Sequence, residues 1–293
     1  MQSKLPPLWE IPLETARMYR PEMDSFFGLK REEMRKVEDK KIQGRDGNEI
    51  LLRTYEPHTQ RKELGTVLYY HGGGFVIGNV ESYDALCRTI AKACDCRVIS
   101  VDYRLAPEHK FPAAQHDAID AFMWSYDNVR PQNFAVMGDS AGGNLAAVTA
   151  LAARDAGKRI RLQILIYPTL MACGLVPSYF ENGDAPVLNM KTVRWFRDQF
   201  YSSVTDLQGK LASPLLIDDL KGLPDALIVT AELDPLRDHG EMYAERLREA
   251  GVSVTGIRYS GMVHGFFNMM FSKSARSVLA TSAALLRGAF YNE

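Results

Sequence analysis

Along the chain, short runs of consecutive apolar residues alternate with longer segments in which apolar positions recur at helical spacing. Residues 67–70, 98–101, 134–137, 162–167, 226–231 and 254–259 predict core strands, because a short, mostly apolar run of that length suits a strand of a covered sheet. Residues 83–93, 114–129, 141–155, 190–201, 240–250 and 274–290 predict helices. Such alternation predicts an α/β fold, a mostly parallel central sheet with helices on both faces. Upstream, residues 37–42 and 50–55 flank Gly44-Arg45-Asp46-Gly47-Asn48, which predicts an antiparallel hairpin because Asp-Gly tolerates positive φ. No internal repeat or low-complexity segment interrupts the pattern.

The longest departure from the alternation is 171–212, which carries Tyr179, Phe180, Trp195, Phe196, Phe200 and Tyr201. Long insertions within a compact domain are often lids or binding elements. Some of these aromatics must pack the segment onto the core, and about half are expected to face a pocket.

Candidate chemistry begins where the apolar run Phe134-Ala135-Val136-Met137 meets Gly138-Asp139-Ser140-Ala141-Gly142 and a helical segment follows. Strand, tight turn and helix in that order expose a serine hydroxyl, and glycines on either side remove the clashes that larger side chains would cause. Amides at the start of the helix are free to donate to a negative charge near the serine. A second motif, His71-Gly72-Gly73-Gly74-Phe75, ends the run at 67–70. Its glycines leave amide hydrogens uncovered, so a carbonyl oxygen turning into an oxyanion could reach them. A phosphate loop fits poorly, because no Gly-x-x-x-x-Gly-Lys-Ser/Thr string is present and no Gly-x-Gly-x-x-Gly opens a helix after this strand.

A serine is a weak nucleophile until a base takes its proton, so a histidine held by an acid is also required. His264 lies in a loop after the strand-like stretch 254–259, in the glycine-bracketed sequence Gly261-Met262-Val263-His264-Gly265. Asp234 follows the run at 226–231, with Pro235 ending that strand. His239 is the competing base, and Asp238 and Glu232 are competing acids that read as solvated charges. The order Ser140, Asp234, His264 is that of α/β hydrolases, and differs from those of chymotrypsin-like and subtilisin-like enzymes.

Together, His71-Gly72-Gly73-Gly74, Tyr103-Arg104-Leu105-Ala106-Pro107-Glu108, Gly138-Asp139-Ser140-Ala141-Gly142-Gly143 and Asp234-Pro235-Leu236-Arg237-Asp238 resemble the hormone-sensitive-lipase-like carboxylesterases, the bacterial family IV esterases. The resemblance runs from about Ile42 to near the C-terminus. It implies Ser140 as nucleophile, His264 as general base and Asp234 as its orienting acid, with an oxyanion hole from the amides of Gly73, Gly74 and Ala141. Gly72 would hold the loop, His71 would anchor it, and Asp139 would be a hydrogen-bonding support. It further implies short- to medium-chain esters as substrates and no cofactor or metal. A cap formed by 1–36 with 171–212, within a single domain 1–293, is also implied, although the N-terminal part looks shorter than usual. Trp9, Met18, Met23, Phe26 and Phe27 could close one side of the site. An amide or formamide hydrolase with the same triad stays open as an alternative. A ligand-binding receptor on a hydrolase scaffold is disfavoured by the retained His264.

Composition changes this picture little. With 293 residues, 46% hydrophobic and 24% charged, the chain is long enough for one large α/β core. A formal net charge of -1 argues against nucleic acid or an anionic membrane as partner. Cys87, Cys94, Cys96 and Cys173 show no zinc-type spacing and read as buried or incidental thiols. Met1-Gln2-Ser3-Lys4-Leu5-Pro6-Pro7 lacks a signal peptide's apolar stretch, and no segment is long and apolar enough to span a bilayer. The expectations are cytoplasmic residence, a small-molecule ester as the only implied partner, and a homodimer.

Overall fold

The computed structural model describes residues 6–18 and 22–293. The expected cap stretch 1–36 thus falls outside the described residues at 1–5 and at 19–21. Eight strands, β1 (Lys36–Gln43), β2 (Glu49–Glu56), β3 (Thr66–Tyr70), β4 (Arg97–Asp102), β5 (Phe134–Asp139), β6 (Ile160–Ile166), β7 (Asp225–Leu233) and β8 (Val254–Val263), form one sheet. Their order is β1-β2-β4-β3-β5-β6-β7-β8. β2 runs antiparallel to β1 and β4, and every other neighbouring pair is parallel.

The described helices are α1 (Leu13–Arg17), α2 (Glu22–Phe26), α3 (Asp84–Cys94), α4 (Ala113–Asn128), α5 (Ala141–Asp155), α6 (Pro177–Glu181), α7 (Met190–Phe200), α8 (Val204–Leu207), α9 (Arg237–Glu249) and α10 (Lys273–Tyr291). Side chains along a strand alternate between faces, and the core divides accordingly. Leu68, Tyr70 and Val136 pack with Phe122 of α4, Leu145 of α5 and Leu247 of α9. Val67, Tyr69, Ala135 and Met137 pack with Ile90 of α3 and Leu286 of α10. Both faces are therefore covered by helices, and this is why the central strands read as continuous apolar runs instead of alternating ones.

Parallel register brings the carboxyl ends of the central strands to one edge. Tyr70 lies opposite Gly138, Asp139 opposite Ile166, and Leu233 opposite Val263. His71, Ser140, Tyr167, Asp234 and His264 each directly follow a strand on that edge. In open α/β sheets, ligand sites form there because the connecting loops splay apart beyond the strand ends.

Two boundaries and one turn differ from expectation. β8 continues to Val263, with a register irregularity against β7 between Ala231 and Leu233, so His264 stands at the strand end and not on a free loop. α9 starts at Arg237, ahead of Gly240, because the Asp234 carboxylate accepts from the Leu236 amide and the Asp234 carbonyl accepts from the Arg237 amide. Gly240 is an interior contact, where an added Cβ would lie 2.7 Å from Thr230 Cγ2. In the hairpin loop, Gly47 takes the positive φ (79°) while Asp46 does not.

Candidate active site

Ser140 occupies the turn between β5 and α5 with φ 56° and ψ -115°, a conformation that costs a non-glycine residue about 1–3 kcal/mol. The surrounding backbone holds it there. Its amide donates to Ile166 O at 2.9 Å, and its carbonyl accepts from Thr169 N at 3.1 Å. The turn leaves no room beside it: a Cβ on Gly142 would sit 1.9 Å from Tyr70 O, and one on Gly138 would sit 2.2 Å from Gly142 O. Glycine is required here by the close approach of β3, β5 and α5, as the pentad predicts.

His264 Nε2 lies 2.9 Å from Ser140 Oγ, and His264 Nδ1 lies 2.7 Å from Asp234 Oδ2. The carboxylate is an acceptor only, so the proton sits on Nδ1 and Nε2 offers its lone pair to the serine hydroxyl. Asp234 is fully buried, and its other oxygen accepts from Leu236 N at 2.8 Å. Tyr167 packs its ring 4.7 Å from that of His264 and restricts the imidazole further. An arrangement of this kind can draw the serine proton onto Nε2 while the carboxylate stabilises the imidazolium.

Gly73 has φ 116°, and a Cβ there would meet Ile77 O at 2.1 Å, because the carbonyl of Gly73 accepts from the amides of both Val76 and Ile77 in a tight turn. Gly73 and Gly74 line the same cavity as Ser140 and His264. Ala141, as the first residue of α5, has an amide with no intrahelical acceptor. Gly72 and His71 lie beneath. The Gly72 amide donates to Asp139 Oδ1 at 3.0 Å. His71 is fully buried, stacks on Tyr103 at 4.2 Å, and donates from Nδ1 to Gly72 O at 2.7 Å. Burial holds its pKa below the ordinary histidine value.

The Asp139 carboxylate accepts from Tyr69 at 2.7 Å and from Tyr83 at 3.1 Å, in addition to Gly72. Burial raises its pKa, and the phenol donors offset part of that rise. Asp139 thereby links the serine turn to the glycine loop, a connection whose tyrosine members leave no motif in the sequence.

The competing residues are engaged elsewhere. His239 is fully buried between Leu170 N and the Tyr179 hydroxyl. Asp238 is not a solvated charge: it accepts from Ser178 N at 2.8 Å and pairs with Arg237. Glu232 accepts from Gly261 N at 2.6 Å. Neither acid touches His264. Among the described residues, no group of three or more His, Cys, Asp or Glu could hold a metal ion, and no helix is long and apolar enough to cross a membrane.

The cavity has a volume of about 1130 Å³. Its floor is Ser140, His264, Gly73 and Gly74, and its far wall comes from 171–212, including Tyr179, Phe196, Phe200 and Tyr201. Phe180 and Trp195 do not line it; Phe180 is exposed and Trp195 packs against the core. Leu8 and Trp9 close one side. Met18, Met23 and Phe26 are exposed outside it, and Phe27 packs, partly buried, against the core cluster on the α3 and α10 face of the sheet. Of the six described non-glycine residues with positive φ, Phe75, Ser140, Tyr167 and Val187 border the cavity, so backbone strain concentrates there. The strained Tyr167 and Val187 went unnoticed in the sequence. Tyr167 carries one signal, its position at the end of an apolar run on the same sheet edge as the triad candidates.

Residues 67–268 match a family described as the alpha/beta hydrolase fold. The chain is 43% identical over 244 residues to carboxylesterase NlhH of Mycobacterium tuberculosis, covering 80% of this chain and 76% of that one. It is 39% identical over 254 residues to an arylesterase of Saccharolobus solfataricus, covering 83% of this chain and 80% of that one. The solved structure of a Pyrobaculum calidifontis esterase superposes with a TM-score of 0.90 at 41% identity, covering 98% of this chain and 95% of that one. By fold, motifs and relatives, the chain belongs to the α/β hydrolase fold family, among its hormone-sensitive-lipase-like carboxylesterases, enzymes that hydrolyse carboxylic esters.

Proposed function

We propose that the chain hydrolyses short- to medium-chain carboxylic esters through an acyl-enzyme on Ser140. His264 takes the serine proton as Ser140 Oγ attacks the ester carbonyl, and Asp234 stabilises the imidazolium. The carbonyl oxygen, now an anion, is received by the amides of Gly73, Gly74 and Ala141, with Gly72 and His71 holding that loop. His264 then gives its proton to the leaving alcohol, and the carbonyl re-forms as the acyl-enzyme. Water, deprotonated by the same imidazole, attacks next; the acid leaves and Ser140 regains its proton.

The observation that carries this reading is the unbroken chain from Asp234 to His264 to Ser140, at 2.7 and 2.9 Å, on the floor of the cavity. The cavity volume and its aromatic far wall, the cap element of the proposal together with the N-terminal stretch, suit a small organic ester. The test is hydrolysis of p-nitrophenyl acetate, butyrate, octanoate and palmitate by the wild type, Ser140→Ala and His264→Ala, with the butyranilide alongside. Activity on the shorter esters that both substitutions abolish is the expected result, and activity surviving in Ser140→Ala would sink the mechanism. A homodimer and cytoplasmic residence belong to the same proposal, checked by light scattering and by cell fractionation.

A further inference from the structure

Tyr179 on α6 lines the cavity that holds Ser140 and His264, and its oxygen lies 2.7 Å from His239 Nε2. The other ring nitrogen of His239, Nδ1, lies 3.3 Å from Leu170 N, whose hydrogen points at it. A backbone N–H can only donate, so Nδ1 must present its lone pair, and the neutral imidazole carries its proton on Nε2. That proton goes to the Tyr179 oxygen. The phenol therefore accepts from His239, and its own hydrogen has to be directed elsewhere. Among the described residues the Tyr179 hydroxyl has no other hydrogen-bond partner.

Both groups hold the required protonation states. Burial pulls His239 down to about 4, against the smaller opposing influence of Asp234 and Asp238, so the ring is neutral near pH 7. Burial pushes the Tyr179 hydroxyl up, so it keeps its proton.

From this geometry we infer that Tyr179 donates a hydrogen bond to the bound substrate, with His239 as the positioning residue that turns the phenolic hydrogen into the cavity. The proposal rests on the carboxylesterase reading and narrows its substrate class. The scissile carbonyl oxygen belongs to the glycine and Ala141 amides, so the Tyr179 donor serves a second oxygen, of an ether, hydroxyl or further carbonyl. Esters bearing such an oxygen are preferred over their hydrocarbon isosteres, because the isostere leaves a partly buried donor unpaired.

The test compares two isosteric pairs. 2-Methoxyethyl butyrate against butyl butyrate places the extra oxygen in the alcohol, and butyl methoxyacetate against butyl butyrate places it in the acyl group. The ratio of kcat/KM within each pair is measured for the wild type, Tyr179→Phe and His239→Leu. Each ratio is internal to one protein sample, so differences in folded fraction cancel. In one of the two pairs the ratio is expected to fall about threefold to tenfold in Tyr179→Phe, the usual worth of a neutral hydrogen bond, and the pair affected names the part of the substrate contacted. His239→Leu keeps the hydroxyl but frees it to rotate; a smaller fall is expected, expressed in KM more than in kcat. Ratios in Tyr179→Phe equal to the wild type in both pairs would overturn the inference alone. A folded wild type inactive on every ester would overturn both it and the esterase reading.

Discussion

The floor and the far wall of the cavity are built in opposite ways. Around Ser140 and Gly73 backbone meets backbone, with carbonyl oxygens of Tyr70, Gly142 and Ile77 within 2.2 Å of where a Cβ on Gly142, Gly138 or Gly73 would stand. Across from it, 171–212 reaches the cavity through side chains, while Leu175, Phe180 and Val204 of the same segment remain more than 70% exposed at 77%, 74% and 73%. Geometry set by backbone contact admits one residue type, whereas a wall of side chains can be resized. In the proposed mechanism, position and reactivity therefore belong to the floor, and selectivity to the wall. The two meet at Gly74, where an added Cβ would sit 2.3 Å from the Phe196 ring.

The sharpest way to break the contrast is at the floor. Ser140→Ala is expected to lower kcat by about 10⁴- to 10⁶-fold, measured with p-nitrophenyl butyrate. Asp234→Asn should cost about 10⁴-fold with the fold intact by circular dichroism, because an amide can donate to Nδ1 and so stabilise the wrong imidazole tautomer. Gly142→Ala should lower the unfolding free energy by about 3 kcal/mol, since the Tyr70 carbonyl cannot retreat without shifting β3; a denaturant titration reads it.

A comparable effect lies where the wall is pinned to the framework, at His239. Its pKa near 4 in the folded protein is below the unfolded value near 6.5, so as pH falls through 6.5 the unfolded chain takes up a proton that the folded chain refuses. Stability contributed by the neutral ring is complete above pH 6.5 and is lost as pH falls toward 4, on the order of 3 kcal/mol in all. Unfolding free energies of the wild type and His239→Gln between pH 7 and 4 should converge by that amount. The smallest effects belong to the wall itself. Phe196→Ala should shift acyl-chain preference toward longer esters roughly tenfold in kcat/KM ratio, with stability little changed by comparison with Gly142→Ala.

How much of this was legible follows the same division. The serine turn and the glycine loop announce themselves because close backbone approach demands glycine at fixed offsets, and Ser140 and Gly73 stand where the motifs put them. β3 to β7 were legible because both faces of the central sheet are buried there, which leaves mostly apolar runs, whereas β1 and β2 were legible from the Asp46-Gly47 turn between them and β8 only as far as Tyr259. The start of α9 was missed because Gly240 resembles a boundary while serving as a packing contact against Thr230. Asp238 was misread as solvated because nothing local reveals that Ser178, sixty residues earlier, donates to it.

The chain's own order of residues thus determined the fold class, the strand–turn–helix placement of Ser140, and the candidates Asp234 and His264 at later strand ends. Each depends on local periodicity or on steric limits within a few residues, and such constraints are written in consecutive positions. Tertiary structure alone decided that His264 and not His239 faces the serine. It also decided that Asp139 is shared among Tyr69, Tyr83 and Gly72, and that Tyr179 meets a histidine sixty residues away. Those outcomes depend on parallel register and on which loops the sheet edge brings within hydrogen-bonding distance, and neither is encoded at any single stretch of the chain.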